Sequence, residues 1–285
     1  MTIQWYPGHI AKAERQLKEQ LKKVDAVIEV RDARIPLATH HPQIPNWVGS
    51  KARVLVLNRM DMISPQVRDL WAKWFEETGE IGYFTNAALG KGIDAVTAAA
   101  QEAGVRVNQR RRDRGMLPRP VRAAAIGFPN VGKSALINRL LGQRVVESAR
   151  RPGVTRSLRW IRISEEIELL DAPGVIPSRI RNEENAVKLA ICEDIGEAGY
   201  DNQRVAAAMV DLLVNLQAAN SGLISLSGFQ SRYKLDAASM NGEDYLHEVA
   251  KHRYKGDVER TARQMLNDFR TGVLGKLALE LPPAA

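Results

Sequence analysis

Residues 127–134 read Gly-Phe-Pro-Asn-Val-Gly-Lys-Ser, a spacing of glycines, lysine and hydroxyl that grips a polyphosphate. The glycines let successive backbone N–H groups turn inward around phosphate oxygens, and a helix starting here adds its positive end. Lys133 supplies charge to the β- and γ-phosphates, and the Ser134 hydroxyl is placed to ligate Mg²⁺. Asn130, Val131, Gly132 and Ala135 are expected to line the same nucleotide. Further on, Asp171-Ala172-Pro173-Gly174 offers a carboxylate that holds Mg²⁺ through water and a Gly174 N–H that faces the γ-phosphate. Between them, Thr155 in Arg-Pro-Gly-Val-Thr-Arg suits a switch threonine closing over the metal.

A second group reads a base. In Asn58-Arg59-Met60-Asp61 a carboxylate at Asp61 accepts both N1–H and the 2-amino group of guanine. Adenine presents a lone pair and no amino group there, so the same carboxylate would be repelled and unpaired. Asn86-Ala87 backs the base with a backbone N–H, and the stem of Arg59 packs along it. Taken alone, Asp-x-x-Gly is an ordinary turn and Asn-x-x-Asp a common tetrapeptide. The phosphate loop in the same chain turns both into ligand groups. The base-reading element precedes the phosphate loop, the reverse of the usual order.

These groups need rigid strand ends. Val24 to Val30 is an apolar strand ending at Arg31-Asp32, and Arg53 to Leu57 a second that runs straight into Asn58. Gly82 to Thr85 leads to Asn86, and Ala123 to Ile126 feeds the phosphate loop. Trp160 to Ile163 and Ile167 to Leu170 form a hairpin that delivers Asp171. Helices are expected over 11–23, after Ser64-Pro65, over 92–103 and from Ser134 to Leu141, with an Arg/Gln-rich linker or crossover at 106–120. Strands alternating with helices make an α/β fold with a mostly parallel sheet. Beyond about residue 180 the pattern is helical only, over 183–196, 203–219, 242–253 and 257–279. The division expected is a nucleotide-binding domain over 1–178, with an N-terminal arm at 1–23, and a smaller all-helical domain over 179–285.

The charge supports this division. The net charge is +8, and residues 1–179 hold 29 Lys/Arg against 18 Asp/Glu while residues 180–285 hold 12 against 15. The densest part is Arg106, Arg110, Arg111, Arg112, Arg114, Arg119 and Arg122, which is either a solvated linker or a footprint for nucleic acid. A lone cysteine, Cys192, excludes a disulfide framework and a thiolate metal site, and reads as a small core residue. With neither an apolar run of membrane-spanning length nor a signal-type start, the expected location is the cytoplasm, with no membrane partner.

The chain resembles the circularly permuted GTPases, and more closely the ribosome biogenesis GTPase A (YlqF/RbgA) family. The resemblance rests on Trp5-Tyr6-Pro7-Gly8-His9-Ile10, Asp32-Ala33-Arg34-Ile35-Pro36, Asn58-Arg59-Met60-Asp61, Gly127 to Ser134, Pro152-Gly153-Val154-Thr155 and Asp171-Ala172-Pro173-Gly174. It spans the whole chain, departing at Arg59, where lysine is usual, at Asn86 and at Ile10. It implies a P-loop GTPase fold followed by a helical domain that helps bind rRNA, Mg²⁺ as cofactor, and GTP hydrolysis in late assembly of the large ribosomal subunit, with a monomer off the particle. Two other functions stay open: a GTP-gated RNA-binding scaffold with incidental turnover, and a signalling GTPase that binds proteins alone.

Val175 stands where a Ras-like GTPase has the glutamine that orients the attacking water. His9 leads into the helix at 11–23, beside the second switch once the fold is opened there, and the resemblance also implicates it as the catalytic group. The alternative is a surface or core histidine. Asn130 either serves K⁺ binding, as in related GTPases that lack the glutamine, or is a loop-stabilising amide. In the helical domain, Lys251, His252, Arg253, Lys255, Arg260 and Arg263 form either an RNA-facing group or a solvated face.

Overall fold

The computed structural model describes residues 15–142, 159–165, 167–172, 174, 180, 182–196, 199–220 and 222–283. His9, Thr155, Pro173 and Val175 lie outside the described residues, as do Trp5 to Ile10.

Six strands form one sheet: β1 (Ala26–Asp32), β2 (Ala52–Asn58), β3 (Gly82–Thr85), β4 (Val121–Ile126), β5 (Arg159–Arg162) and β6 (Ile167–Asp171). Their order is β3-β2-β1-β4-β6-β5, and every pair is parallel except β5 with β6. The chain runs outward from β1 through β2 to β3, then returns to place β4 on the other side of β1. That reversal opens a crevice past the carboxyl ends of β1 and β4, where such sheets take their ligands. All seven residues of β1 are buried, as a central parallel strand requires.

On one face, the helix over 15–21 (α1) sets Leu17 and Leu21 against Val27, Ala124, Ile126 and Leu170, joined by Ile44 and Val48 of a short helix α2 (Ile44–Val48). On the other face lies α4 (Ile93–Arg112), which follows α3 (Pro65–Glu77) and β3. α5 (Lys133–Leu140) follows the phosphate loop and packs against β4 and β6. The helix expected over 92–103 thus continues to Arg112, into what read as a linker. Arginine is a good helix former, and Gly104 sits where a Cβ would stand 2.7 Å from Val121 Cγ2, so the helix crosses β4 closely there.

The remaining helices are α6 (Glu183–Ile191), α7 (Asn202–Ala219), α8 (Ser227–Tyr233), α9 (Gly242–Arg253) and α10 (Val258–Arg270). Asn182, Asp201, Asn241 and Asp257 cap α6, α7, α9 and α10 by accepting from N–H groups of their first turns. α10 stops at Arg270 rather than 279, because Gly272 turns the chain at φ 79°. α6 likewise stops at Ile191, with Cys192 buried at its end. α7 packs against α6, α9 and α10. Residues 61–71 belong to this helical unit together with 180–285, and the second unit comprises the rest of the described chain. Trp71, fully buried, donates from Nε1 to Glu280 O at 3.4 Å within it. Among the described residues, no helix is long and apolar enough to cross a membrane.

Beneath the crevice, Glu29 lies on β1 at 0% exposure. Its Oε1 accepts from Arg31 Nε at 2.5 Å and lies 2.9 Å from His40 Nδ1, and Arg53 Nε is 3.4 Å from Oε2. Burial pushes this carboxyl upward, but His40 and Arg31 outweigh it and bring it down from 4.5 to about 2. A depressed carboxyl contributes stability that is complete above its unfolded value and is lost as pH falls through the folded one. The contribution, on the order of 3 kcal/mol at neutral pH, should drain away between about pH 4.5 and 2. Glu29→Gln should lower the neutral-pH midpoint of urea unfolding and flatten its pH dependence over that window. An unchanged acid slope would mean that Glu29 is not the group titrating.

Candidate nucleotide site

Asn58 is the last residue of β2, buried at 4% exposure, and its amide bonds through both its nitrogen and its oxygen. Nδ2 donates to Val131 O in the phosphate loop at 2.8 Å. Oδ1 accepts from Thr85 Oγ1 at 3.2 Å and from Ala87 N at 3.0 Å. One side chain therefore ties the phosphate loop to the loop after β3. Asn58 thereby holds both loops in place around the end of β2.

The phosphate loop leaves β4 at Gly127 and enters α5 at Gly132, whose φ is 99°. A Cβ on Gly132 would stand 2.1 Å from Asn58 Nδ2, so this position has room only for hydrogen. Lys133 Nζ folds back to donate to Phe128 O at 2.7 Å and Gly127 O at 3.3 Å, which holds the ammonium over the loop's concave side. Ser134 follows in the first turn of α5. Asp171 ends β6, buried at 2% exposure, in register with Ala125 on β4, two residues before Gly127. Gly174 lies against the loop as well: a Cβ there would come within 2.5 Å of Pro129 N. The two phosphate-side motifs thus meet through backbone. Ser134 and Asp171 offer only oxygen, which suits a small hard cation such as Mg²⁺.

Arg59, Asn86 and Arg139 complete the frame. Arg59 adopts φ 66° and donates from Nη2 to Asn130 O at 2.6 Å, with Nε 3.6 Å from Asp32 Oδ2. Burial works to raise the Asp32 carboxyl, but Arg34 and Arg59 hold it below its ordinary value. Asp32 is therefore an anionic anchor, first for Arg34, which donates to it from Nε at 3.0 Å and from Nη2 at 2.7 Å, and at longer range for Arg59. The Arg59 guanidinium serves the phosphate loop, and the chain then turns through a 3₁₀ segment (Met60–Met62) that leaves the Asp61 carboxylate exposed. Asn86 N and Lys91 O are bonded at 3.0 Å, and Asn86 Oδ1 accepts from Leu89 N, so the Asn86-Ala87 loop is braced from within. From α5, Arg139 donates to Ala87 O at 2.9 Å and to Ala88 O. Sequence reasoning missed Arg139 and Thr85, because neither lies in a motif and each acts across the fold.

A family model described as "50S ribosome-binding GTPase" matches residues 122–234. The protein named ribosome biogenesis GTPase A of Bacillus cereus is 33% identical, over 99% of this chain and 95% of its own length. The mouse protein named mitochondrial ribosome-associated GTPase 1 is 32% identical, over 98% of this chain and 90% of its own. Among solved structures, GNP-bound YlqF from T. maritima shares the fold, with a TM-score of 0.65 at 22% identity, over 96% of this chain and 100% of that one. With identity of this order sustained along nearly the whole of both chains, and with the phosphate loop, base loops and switch glycine assembled around one sheet end, the chain belongs to the ribosome biogenesis GTPase A family and is a GTPase.

Proposed function

We propose that the chain binds GTP at the carboxyl end of its sheet and hydrolyses it to drive a late step in assembly of the large ribosomal subunit. The observation that carries this reading is the Asn58 amide, which joins the phosphate loop to the Asn86-Ala87 loop and so sets both ends of one nucleotide. The nucleotide chemistry belongs to residues 1–178. The helical domain, 179–285, is a docking element for rRNA, through Lys251, His252, Arg253, Lys255 and Arg260, of which all are exposed.

In this reading Asp61 reads guanine, and Arg59, Met60, Asn86 and Ala87 frame the base. Asn130 to Ala135 surround the phosphates, with Thr155 and Gly174 closing on the γ-phosphate. Mg²⁺ would be held by Ser134 and Thr155, with Asp171 acting through water, and it would neutralise charge on the β- and γ-oxygens. A K⁺ beside Asn130 would add to this, and replacing K⁺ by Na⁺ in the turnover assay tests that part. The protein works as a monomer off the particle. A nucleotide-dependent change in the second switch passes to the helical domain because the chain continues from one into the other.

Turnover with and without precursors of the large subunit tests the proposal, and His9→Ala tests its chemistry. With Val175 at the glutamine position, His9 is the group expected to orient the attacking water. Its loss should cut stimulated kcat by about 10²–10⁴-fold and leave GTP affinity unchanged. A raised KM with kcat intact would remove His9 from the chemistry. Absence of any stimulation of the unmodified chain would favour a GTP-gated RNA scaffold instead.

A further inference from the structure

The parallel sheet has two ends, and the nucleotide groups use only one. α4 begins at Ile93, just past the Asn86-Ala87 loop, and its 20 residues carry it roughly 30 Å to Arg112. The chain then returns through 113–120 into the start of β4. The last turns of α4 therefore stand at the amino ends of the strands, the end opposite the phosphate loop.

Five arginines gather there: Arg106, Arg110, Arg111, Arg112 and Arg114. Arg106 shares its charge with Glu102. Among the described residues none of the other four takes part in an ion pair, and Asp113, the carboxylate in their midst, accepts from Gln109 at 2.9 Å. The segment is held in shape. Asn108 accepts from Arg119 N at 3.1 Å and donates to Arg119 O at 3.0 Å, and Arg111 Nε donates to Leu117 O at 3.0 Å. Arg119 itself is spent on Asp25, at 2.7 and 3.0 Å. What remains is a braced turn that presents Arg110, Arg112 and Arg114 to solvent, with Leu117 83% exposed beside them. Like charges this close repel one another, and a bound polyanion relieves that.

A second feature lies on the face of the sheet that α1 covers, at the edge strand. Trp160 on the edge strand β5 is 38% exposed, with the Arg122 guanidinium 5.6 Å from its ring centre. It opens on a cleft of about 400 Å³ that Lys23, Arg122 and Arg162 also line. Glu168 sits in this cleft 3.3 Å from Arg122, and Glu165 pairs with Arg162, so the cleft is less basic than the arginine turn. Its distinctive group is the exposed indole among cations, a platform on which an unpaired base stacks.

We propose that the nucleotide-binding unit docks RNA at two places, the arginine turn gripping phosphates and Trp160 at the sheet edge stacking an unpaired base. The inference rests on the reading of the chain as a GTPase that engages a ribosomal particle, and it names the surface through which the nucleotide-binding unit meets rRNA. Because the length of α4 separates the arginine turn from the phosphate loop, RNA phosphates held by those arginines leave the nucleotide loops accessible.

The test uses the full chain with single-stranded oligouridylate and with isolated large subunits, over a range of salt. R110E/R112E/R114E should weaken oligouridylate binding and flatten its log–log salt slope by about 2, given roughly 0.7 per phosphate contact on a single strand. W160A should weaken binding roughly 5- to 100-fold with the slope unchanged, and W160F should restore most of it. Unstimulated GTP turnover should stay at the unmodified rate in all three variants, which also reports an intact fold. If the unmodified chain binds both probes and the variants bind like it, the surface is wrong and the proposed function survives. Variants that lose subunit binding but keep oligouridylate binding would identify a protein contact and overturn the RNA assignment. An unmodified chain that binds neither probe would overturn the surface and the function together.

Discussion

Asp61→Asn is expected to turn a GTP-binding site into one that prefers XTP. Asp61 sits in the 3₁₀ turn just past β2, exposed, with its carboxylate in no hydrogen bond or ion pair among the described residues. Its lone pairs are therefore available to a ligand, and nothing in the fold depends on its charge. A carboxylate accepts twice, from N1–H and the 2-amino group of guanine. An asparagine amide keeps one acceptor and gains a donor, which matches xanthine, where a carbonyl replaces the amino group. Sites built on matched polar groups discriminate by about 10⁴–10⁵, because the wrong partner leaves buried polar atoms unpaired. The GTP:XTP affinity ratio should move by several orders of magnitude. The thermal midpoint without nucleotide should hold, since exposed substitutions change stability by only about 0.5 kcal/mol. Nucleotide titrations giving unchanged GTP affinity and no gain for XTP would take Asp61 out of the base site.

Much of this site could be read from residue types alone, because its parts are local. An apolar run followed by Gly-x4-Gly-Lys-Ser specifies strand, loop and helix within a few residues, and β4 and α5 lie where that pattern puts them. The strand before Asn58 and the β5–β6 pair before Asp171 were legible for the same reason. What could not be read is whatever depends on partners far along the chain. The sequence places Asn58 in the base-reading element, and its further role as a tie follows from Val131, 73 positions away, and Ala87, 29 positions away. Arg139 and Thr85 gain their roles the same way. The extension of α4 through its arginines was hidden by their composition, which reads as a linker or crossover until Gly104 is seen packed against Val121. α2 and α8, of five and seven residues, are too short to display a helical period. Trp71 in the helical unit has no sequence signal, since its acceptor is the backbone of Glu280.

The tie at Asn58 makes Gly132→Ala the sharpest test of the site's geometry. Gly132 holds φ 99°, a conformation that L side chains rarely adopt, and an added methyl would stand 2.1 Å from Asn58 Nδ2. Asn58 cannot retreat, because its Oδ1 is held by Thr85 and Ala87. The backbone must move instead, which displaces the Val131 carbonyl and the N–H groups that face the phosphates. Strain of this kind costs about 1–3 kcal/mol, and an orphaned buried amide about as much again. GTP affinity should fall on the order of 100-fold or more, with a smaller loss of unfolding free energy. The variant also separates steric cause from general damage. In Asn58→Ala/Gly132→Ala the clash partner is gone, so the two losses should be less than additive, with a coupling of about 1–3 kcal/mol. Strict additivity, or normal GTP binding by Gly132→Ala alone, would show that the close approach of Asn58 to the phosphate loop is not what shapes this site.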